Sequence, residues 1–186
     1  METDYQDMHA RVDLAGVESL IARRWSPRAY LADPVSDEEL ALVFEAARLS
    51  PSCYNEQPWR FFTSTASSRE AFLSLLVEGN QAWAHTAPVI GFVVASRNFE
   101  RNGKDNFHAA FDSGAAWMAL SLQARALGLY THGMGGIHYE QVYAHLGLDP
   151  EQHEVICGFT IGRLDPEGGE SLSERKALSD IWTPVG

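Results

Sequence analysis

Cysteine is scarce in this 186-residue chain, which has only Cys53 and Cys157. Two cysteines cannot form a disulfide framework, and neither belongs to a CxxC pair. The seven histidines show no spacing typical of metal ligands, so we expect no metal site. Long hydrophobic runs are also missing, because no apolar stretch approaches the ~20 residues that cross a bilayer. The acidic, polar N-terminus does not resemble a signal peptide. These absences predict a cytoplasmic protein without a membrane partner.

Basic residues are few as well. Lys and Arg number 14 against 25 Asp and Glu, giving a formal net charge of −11. This balance argues against a nucleic-acid partner, which needs a basic face. The GxGxxG, GxxxxGK[ST] and GxSxG motifs are all absent. A nucleotide-like cofactor would therefore need another kind of binding site.

Helical and strand-like patterns alternate along the chain, which predicts an α+β or α/β sandwich in a single domain. The clearest helix lies in SDEELALVFEAARLS, where Ser36 and Glu39 form a capping box. Residues 107–127 predict a central buried helix, and residues 88–96 predict a strand buried on both faces. Shorter patterns predict a first helix in DLAGVESLIARR and further strands in WRFFTST and EVICGFTIGR. Residues 1–12 resemble a loose tail.

Three segments carry candidate chemistry, and each has two interpretations. Arg23, Arg24 and Arg28 with Ser26 form a basic cluster in an acidic chain, which suits either a phosphate or a solvated helix end. The loop SPSCYNEQPW is stiffened by two prolines and offers hydroxyl and amide groups to a flat heterocycle, or to its own backbone. The glycines of GMGG at 133–136 permit close backbone approach to a ligand or form a simple turn.

The order and spacing of longer segments resemble the FMN-dependent nitroreductase family over roughly residues 17–182. The segments are RRWSPRAY, AARLSPSCYNEQPWRFF, GNQAWAHTAPVIGFVVA, DSGAAWMALSLQARALGLYTHGMGG, GFTIGR and ERKALSDI. The resemblance implies an α+β nitroreductase-like sandwich with a central mixed sheet flanked by helices. It also implies that residues 13–186 form one FMN-binding domain in an intertwined homodimer, with FMN at the interface. A C-terminal segment, about 171–186, would cross to the partner subunit.

The same resemblance implies the site residues. The cofactor-binding residues would be Arg24, Trp25, Ser26, Arg28, Pro51, Ser52, Cys53, Asn55, Gln57, Asn80, Met134, Gly135, Gly136 and Arg175. The substrate pocket would be lined by Tyr54, Phe107, His108 and Phe111, the last three from the partner chain. Trp83 stands where some relatives carry Lys. No side chain is expected to act as a catalytic acid or base, because the flavin carries the chemistry.

The implied function is that of an NAD(P)H-dependent flavin oxidoreductase. NADH or NADPH would reduce tightly bound FMN, which would pass electrons to a nitroaromatic, a quinone or a similar flat acceptor in a ping-pong cycle. The alternatives are a non-redox FMN-binding or scavenging protein and an FMN enzyme of the same fold. That enzyme would act on a small aldehyde or enone, or use oxygen.

Overall fold

A computed structural model describes residues 16–168 and 172–186, so the predicted tail at 1–12 lies outside the described residues. Its centre is a four-stranded sheet in the order β1-β2-β4-β3. The strands are β1 (Trp59–Thr63), β2 (Val89–Ser96), β3 (Tyr130–Met134) and β4 (His153–Gly162). Each of the three strand pairs is antiparallel.

Six helices accompany the sheet in the described residues. They are α1 (Ser19–Arg23), α2 (Asp37–Arg48), α3 (Arg69–Ser74), α4 (Glu78–Ala84), α5 (Ala109–Ala126) and α6 (Tyr139–Leu146). The predicted capping box at the start of α2 is confirmed, since Ser36 Oγ accepts from the Glu39 nitrogen and the Glu39 carboxylate accepts from the Ser36 nitrogen. Gly147 ends α6 with a φ of 64°, a conformation that glycine adopts without steric cost.

The alternation of side chains along β2 divides the core into two layers. Val89 and Val93 pack in the layer formed by α2 and α5, together with Phe159 of β4. Ile90 and Phe92 point the other way, into the layer that contains α3, α4 and α6. Because successive strand residues face opposite sides, one apolar strand serves both layers. The prediction that this strand is buried on both faces is confirmed.

Three details differ from the expectations. The sheet is antiparallel rather than mixed in the described residues, since all three strand pairs run antiparallel. Helices on both faces bury β2, and such burial does not require parallel neighbours. Helix α4 was not predicted, because its seven residues contain a glycine and bury only Ala84. Helix α1 spans only five residues and buries none of them, so its apolar spacing does not mark a core-facing helix within one chain.

Candidate functional site

An open cleft of about 430 Å³ lies beside the end of β3. Five of the predicted cofactor residues, from three separate segments, line it: Arg28, Asn80, Met134, Gly135 and Gly136. Its volume falls within the range of about 300–1,000 Å³ that is usual for ligand pockets. The fold thus brings an exposed guanidinium, an amide and a glycine turn to one place.

The amide of Asn80 is fixed in the wall of this cleft. Its Nδ2 donates to the carbonyl oxygen of Gly136 at 2.9 Å, and its Oδ1 accepts from Trp83 Nε1 at 3.3 Å. An amide has two donor hydrogens and two acceptor lone pairs, so one of each is left for a ligand. Gly136 permits this arrangement, because a Cβ there would lie 2.6 Å from Asn80 Nδ2.

His132 and Trp83 form the neighbouring part of the wall. Their rings lie 4.6 Å apart between centroids, and His132 Nδ1 donates to the Pro27 carbonyl at 2.9 Å. No sequence motif marked His132 as a site residue. The structure places it in the cleft lining with Gly133 of the GMGG segment, and with Val77 and Gly79, which sequence reasoning also missed. Position 132 faces the cleft because of the strand register, and no motif signals that register.

The basic segment is held in place by its own core contacts. Trp25 is buried and meets Tyr130 edge to face at a centroid distance of 6.0 Å. The Tyr30 hydroxyl donates to the Pro27 carbonyl at 3.0 Å and lies 2.8 Å from Thr160 Oγ1. These anchors leave the half-buried Arg24 and Ser26 side by side, with Arg24 Nη1 donating to Ser26 Oγ at 3.3 Å.

The amide-bearing loop belongs to a different part of the chain. Pro51, Ser52, Cys53, Asn55 and Gln57 precede β1, at the sheet edge opposite β3. Three strand spacings of about 4.8 Å separate these edges by about 14 Å. Tyr54, Asn55 and Gln57 have φ values of 55°, 58° and 51°, which side-chain-bearing residues rarely adopt. One chain therefore presents the two predicted parts of the flavin site, the Asn80 cleft and the loop before β1, on opposite edges.

The predicted substrate residues are mostly exposed in the single chain. Phe107, Phe111 and Tyr54 are 89%, 79% and 72% exposed, respectively. His108 is the N-cap residue of α5 and is also exposed. Large aromatic side chains in water leave apolar area unburied, so Phe107 and Phe111, four positions apart, form an uncovered aromatic surface at the start of α5.

Arg175 also lies away from the cleft, as does Gln57 with the rest of its loop. Arg175 lies in the exposed C-terminal segment, where its Nη1 donates to the Ser173 and Glu174 carbonyls. Gln57 lines a second cleft of about 370 Å³, with polar neighbours that include Arg60 and His153. The described chain does not bring these two residues to the Asn80 cleft.

Three further features of the described residues concern a buried thiol, metal ligands and membrane-spanning helices. Burial raises the pKa of the Cys157 thiol to about 11, so it stays protonated and poorly nucleophilic at neutral pH. No cluster of His, Cys, Asp or Glu in the described residues could hold a metal ion. None of the described helices is both long enough and apolar enough to span a bilayer.

Comparisons with known proteins point to one family. The nitroreductase family model matches residues 21–82 and 63–163. A candidate NADH dehydrogenase/NAD(P)H nitroreductase of Streptomyces coelicolor is 26% identical, and the alignment covers 94% of this chain and 98% of that protein. A crystal structure of an oxidoreductase containing FMN is 35% identical, covers 90% of both chains and has a TM-score of 0.84. A candidate nitroreductase from Desulfovibrio desulfuricans in complex with FMN is 26% identical over 90% of this chain and 95% of the other, with a TM-score of 0.74.

Proposed function

This chain belongs to the nitroreductase family, and from that premise we propose that it is an FMN-dependent oxidoreductase that takes electrons from NADH or NADPH. The electrons pass in a ping-pong cycle to a flat acceptor such as a nitroaromatic or a quinone. The observation that carries this proposal is the cleft that unites Arg28, Asn80 and the Gly135–Gly136 turn.

The residues of the cleft fit a flavin. Asn80 offers one donor and one acceptor in a fixed orientation, which suits a ring edge with alternating N–H and C=O groups. A Cβ at Gly135 would meet nothing within 4 Å, so its backbone is open to a close ligand. Arg28 would stabilise negative charge that develops on the pyrimidine side. Arg24 and Ser26 would hold the phosphate, and Arg175 would add a second guanidinium there.

Bound FMN supplies the capacity to accept two electrons from a nicotinamide and to deliver them to an acceptor. The chain's own residues bind and orient the flavin and the substrate. The glycine turn lets the substrate approach closely, Asn80 sets the ring position, and the buried Trp25 and Tyr30 keep the phosphate-binding segment in register. Since neither step needs a side-chain proton, we assign no catalytic acid or base.

We further propose that two copies of the chain form an intertwined homodimer. Ring-binding residues lie on opposite sheet edges, so a second copy would bring one loop to the other cleft. The uncovered apolar side chains support this arrangement. They are Phe107, Phe111 and Met118 near or on α5, Leu42 and Leu49 on or next to α2, and Leu178, Ile181, Trp182 and Val185 in the C-terminal segment. The C-terminal segment would reach across to the partner. Sedimentation at micromolar concentration should give twice the mass of 20.6 kDa.

The test of the proposed function is a visible spectrum of the purified protein, followed by anaerobic addition of NADH or NADPH. Bound flavin that bleaches with either nucleotide and recovers with menadione or a nitroarene supports the reductase. A flavin complex that neither nucleotide bleaches indicates a carrier instead. A colourless protein that takes up no added FMN overturns the assignment.

A further inference from the structure

A cation–aromatic cluster lies outside the Asn80 cleft. It consists of Tyr54, Phe99 and Arg101, and we call it the Arg101 cluster. The Arg101 guanidinium carbon lies 3.9 Å from the centroid of the Tyr54 ring and 5.3 Å from that of Phe99. The two rings meet edge to face, at 5.9 Å and 82°. The guanidinium is therefore held over one ring and flanked by another.

The cluster joins two loops. Tyr54 lies in the loop before β1, and Phe99 and Arg101 belong to the segment at 97–106 that leads into α5. The Glu100 nitrogen donates to the Glu56 carboxylate at 2.5 Å, which ties the same two loops a second time. The left-handed backbone at Tyr54 costs about 1–2 kcal/mol, so the surroundings must hold the backbone of this loop in place. The ring itself contacts Arg101 and Phe99.

Arg101 makes no ion pair among the described residues. The residue is exposed, and among the residues that the structure describes no carboxylate lies in ion-pair range of its guanidinium. A guanidinium stacked on a ring keeps its in-plane N–H donors for a carboxylate or phosphate. In a chain with net charge −11, this is a local cationic point.

A purely structural role, in which the cluster only joins the two loops, is the simpler interpretation. An exposed cation–π contact stabilises a fold by about 0.5–1 kcal/mol, which is enough to join two loops. The location of the cluster favours a ligand. The loop that carries Tyr54 also carries Ser52 and Asn55, for which we propose flavin binding, and it contacts α5 next to the exposed Phe111 through Asp112. In the proposed homodimer, Arg101 would therefore lie at the edge of the reaction site.

We propose that Arg101, oriented by Tyr54, binds an oxyanion on one of the two substrates. The oxyanion is either the carboxylate of an aromatic acceptor or the 2′-phosphate of NADPH. This inference rests on the proposed function and adds a specificity determinant to the same site. The guanidinium binds the charged group at the site's edge, while the neighbouring aromatic surface takes the flat part of the molecule.

The experiment compares the holoenzyme with Arg101→Gln, Arg101→Lys and the control Lys104→Gln. Lys104 lies in the same segment and carries the same charge, and among the described residues it makes no aromatic contact. Two ratios of kcat/KM are measured, 4-nitrobenzoate over nitrobenzene and NADPH over NADH. Arg101→Gln should lower one of these ratios about 10-fold, the loss expected for one charge-assisted contact, and the affected ratio identifies the source of the oxyanion. Arg101→Lys should give a smaller loss, and Lys104→Gln almost none.

Binding gives a second readout that does not depend on turnover. The oxidised protein is titrated separately with benzoate, with 2′,5′-ADP and with 5′-AMP, while the flavin absorbance is followed. The 5′-AMP titration is the control for 2′,5′-ADP, because it lacks the 2′-phosphate. Arg101→Gln should weaken the binding of either benzoate or 2′,5′-ADP about 10-fold. Unchanged ratios and unchanged binding in an active Arg101→Gln variant overturn this inference alone, as does an equal loss in Lys104→Gln. A wild-type protein that oxidises neither nucleotide overturns the proposed function and this inference together.

Discussion

The carboxylate of Asp112 accepts a hydrogen bond from the backbone nitrogen of Cys53 at 3.0 Å, although 59 positions separate the two residues. Asp112 is buried in the first turn of α5. The bond ties the strained loop before β1 to the central helix of the protein. The conformation that presents Ser52 and Asn55 therefore depends on a residue that is distant from both in the sequence.

Removing this acceptor should loosen the loop. Asp112→Ala leaves the Cys53 N–H without its partner, which costs about 1–3 kcal/mol. We expect urea unfolding to show a loss of this size and FMN to bind more weakly. Asp112→Asn keeps an acceptor oxygen and should lie between the alanine variant and the wild type. An Asp112→Ala variant with wild-type FMN affinity would show that the bond does not organise the loop.

The glycine turn offers a matched pair of substitutions. At Gly136 a new Cβ would lie 2.6 Å from Asn80 Nδ2 and 2.8 Å from Val77 Cγ2, whereas at Gly135 it would meet nothing within 4 Å. Gly136→Ala should therefore displace Asn80 and lower the unfolding free energy of the apoprotein by about 1–3 kcal/mol, as overpacking does. Gly135→Ala should stay close to wild type in the same apoprotein measurement. Equal losses in both variants would contradict the proposed crowding at Gly136.

The phosphate assignment is tested by Arg24→Ala. Loss of a charge-assisted contact of about 1.5–3 kcal/mol should weaken FMN binding roughly 10- to 100-fold. Arg23→Ala is the control, since Arg23 carries the same charge one residue earlier and donates to Ser19. Equilibrium dialysis of the apoproteins against FMN gives both constants. If Arg24→Ala retains a full flavin complement after dialysis, the phosphate is bound elsewhere.

Helix α2 should show an acid-dependent contribution from Glu39. The Ser36 backbone N–H, and secondarily the Arg163 guanidinium, lower the pKa of this carboxyl below its usual 4.5, although burial opposes them. A lowered folded-state pKa means that the stabilisation is complete above pH 4.5 and is lost as the pH falls through the folded value. Glu39→Gln should cost about 1 kcal/mol at pH 7.

That cost should shrink once the wild-type carboxyl is protonated. Urea unfolding of wild type and Glu39→Gln at pH 7 and near pH 3 measures the difference. A difference that stays constant between the two pH values would mean that the charge of Glu39 contributes nothing. Glu38→Gln serves as the control, because Glu38 is an exposed carboxylate in the same first turn.

Several elements were predictable because their cause is local. The capping box of Ser36 and Glu39, the apolar run of β2 and the left-handed Gly147 depend on residues a few positions apart. The direction of the strands was not predictable, because a strand covered on both faces has the same apolar pattern in parallel and antiparallel sheets. Helix α4 was missed because seven residues with one buried side chain carry no clear periodicity.

The sequence by itself determined the family, the α+β class and the identity of the segments with candidate chemistry, since these properties reside in the order and spacing of residues. Only the tertiary structure decided which segments meet. It placed Arg28 and Asn80 with the glycine turn, directed His132 into the same cleft and left Ser52 and Asn55 at the opposite sheet edge. The physical reason is that strand order and register, which arise from packing across the whole core, decide which side chains share a face.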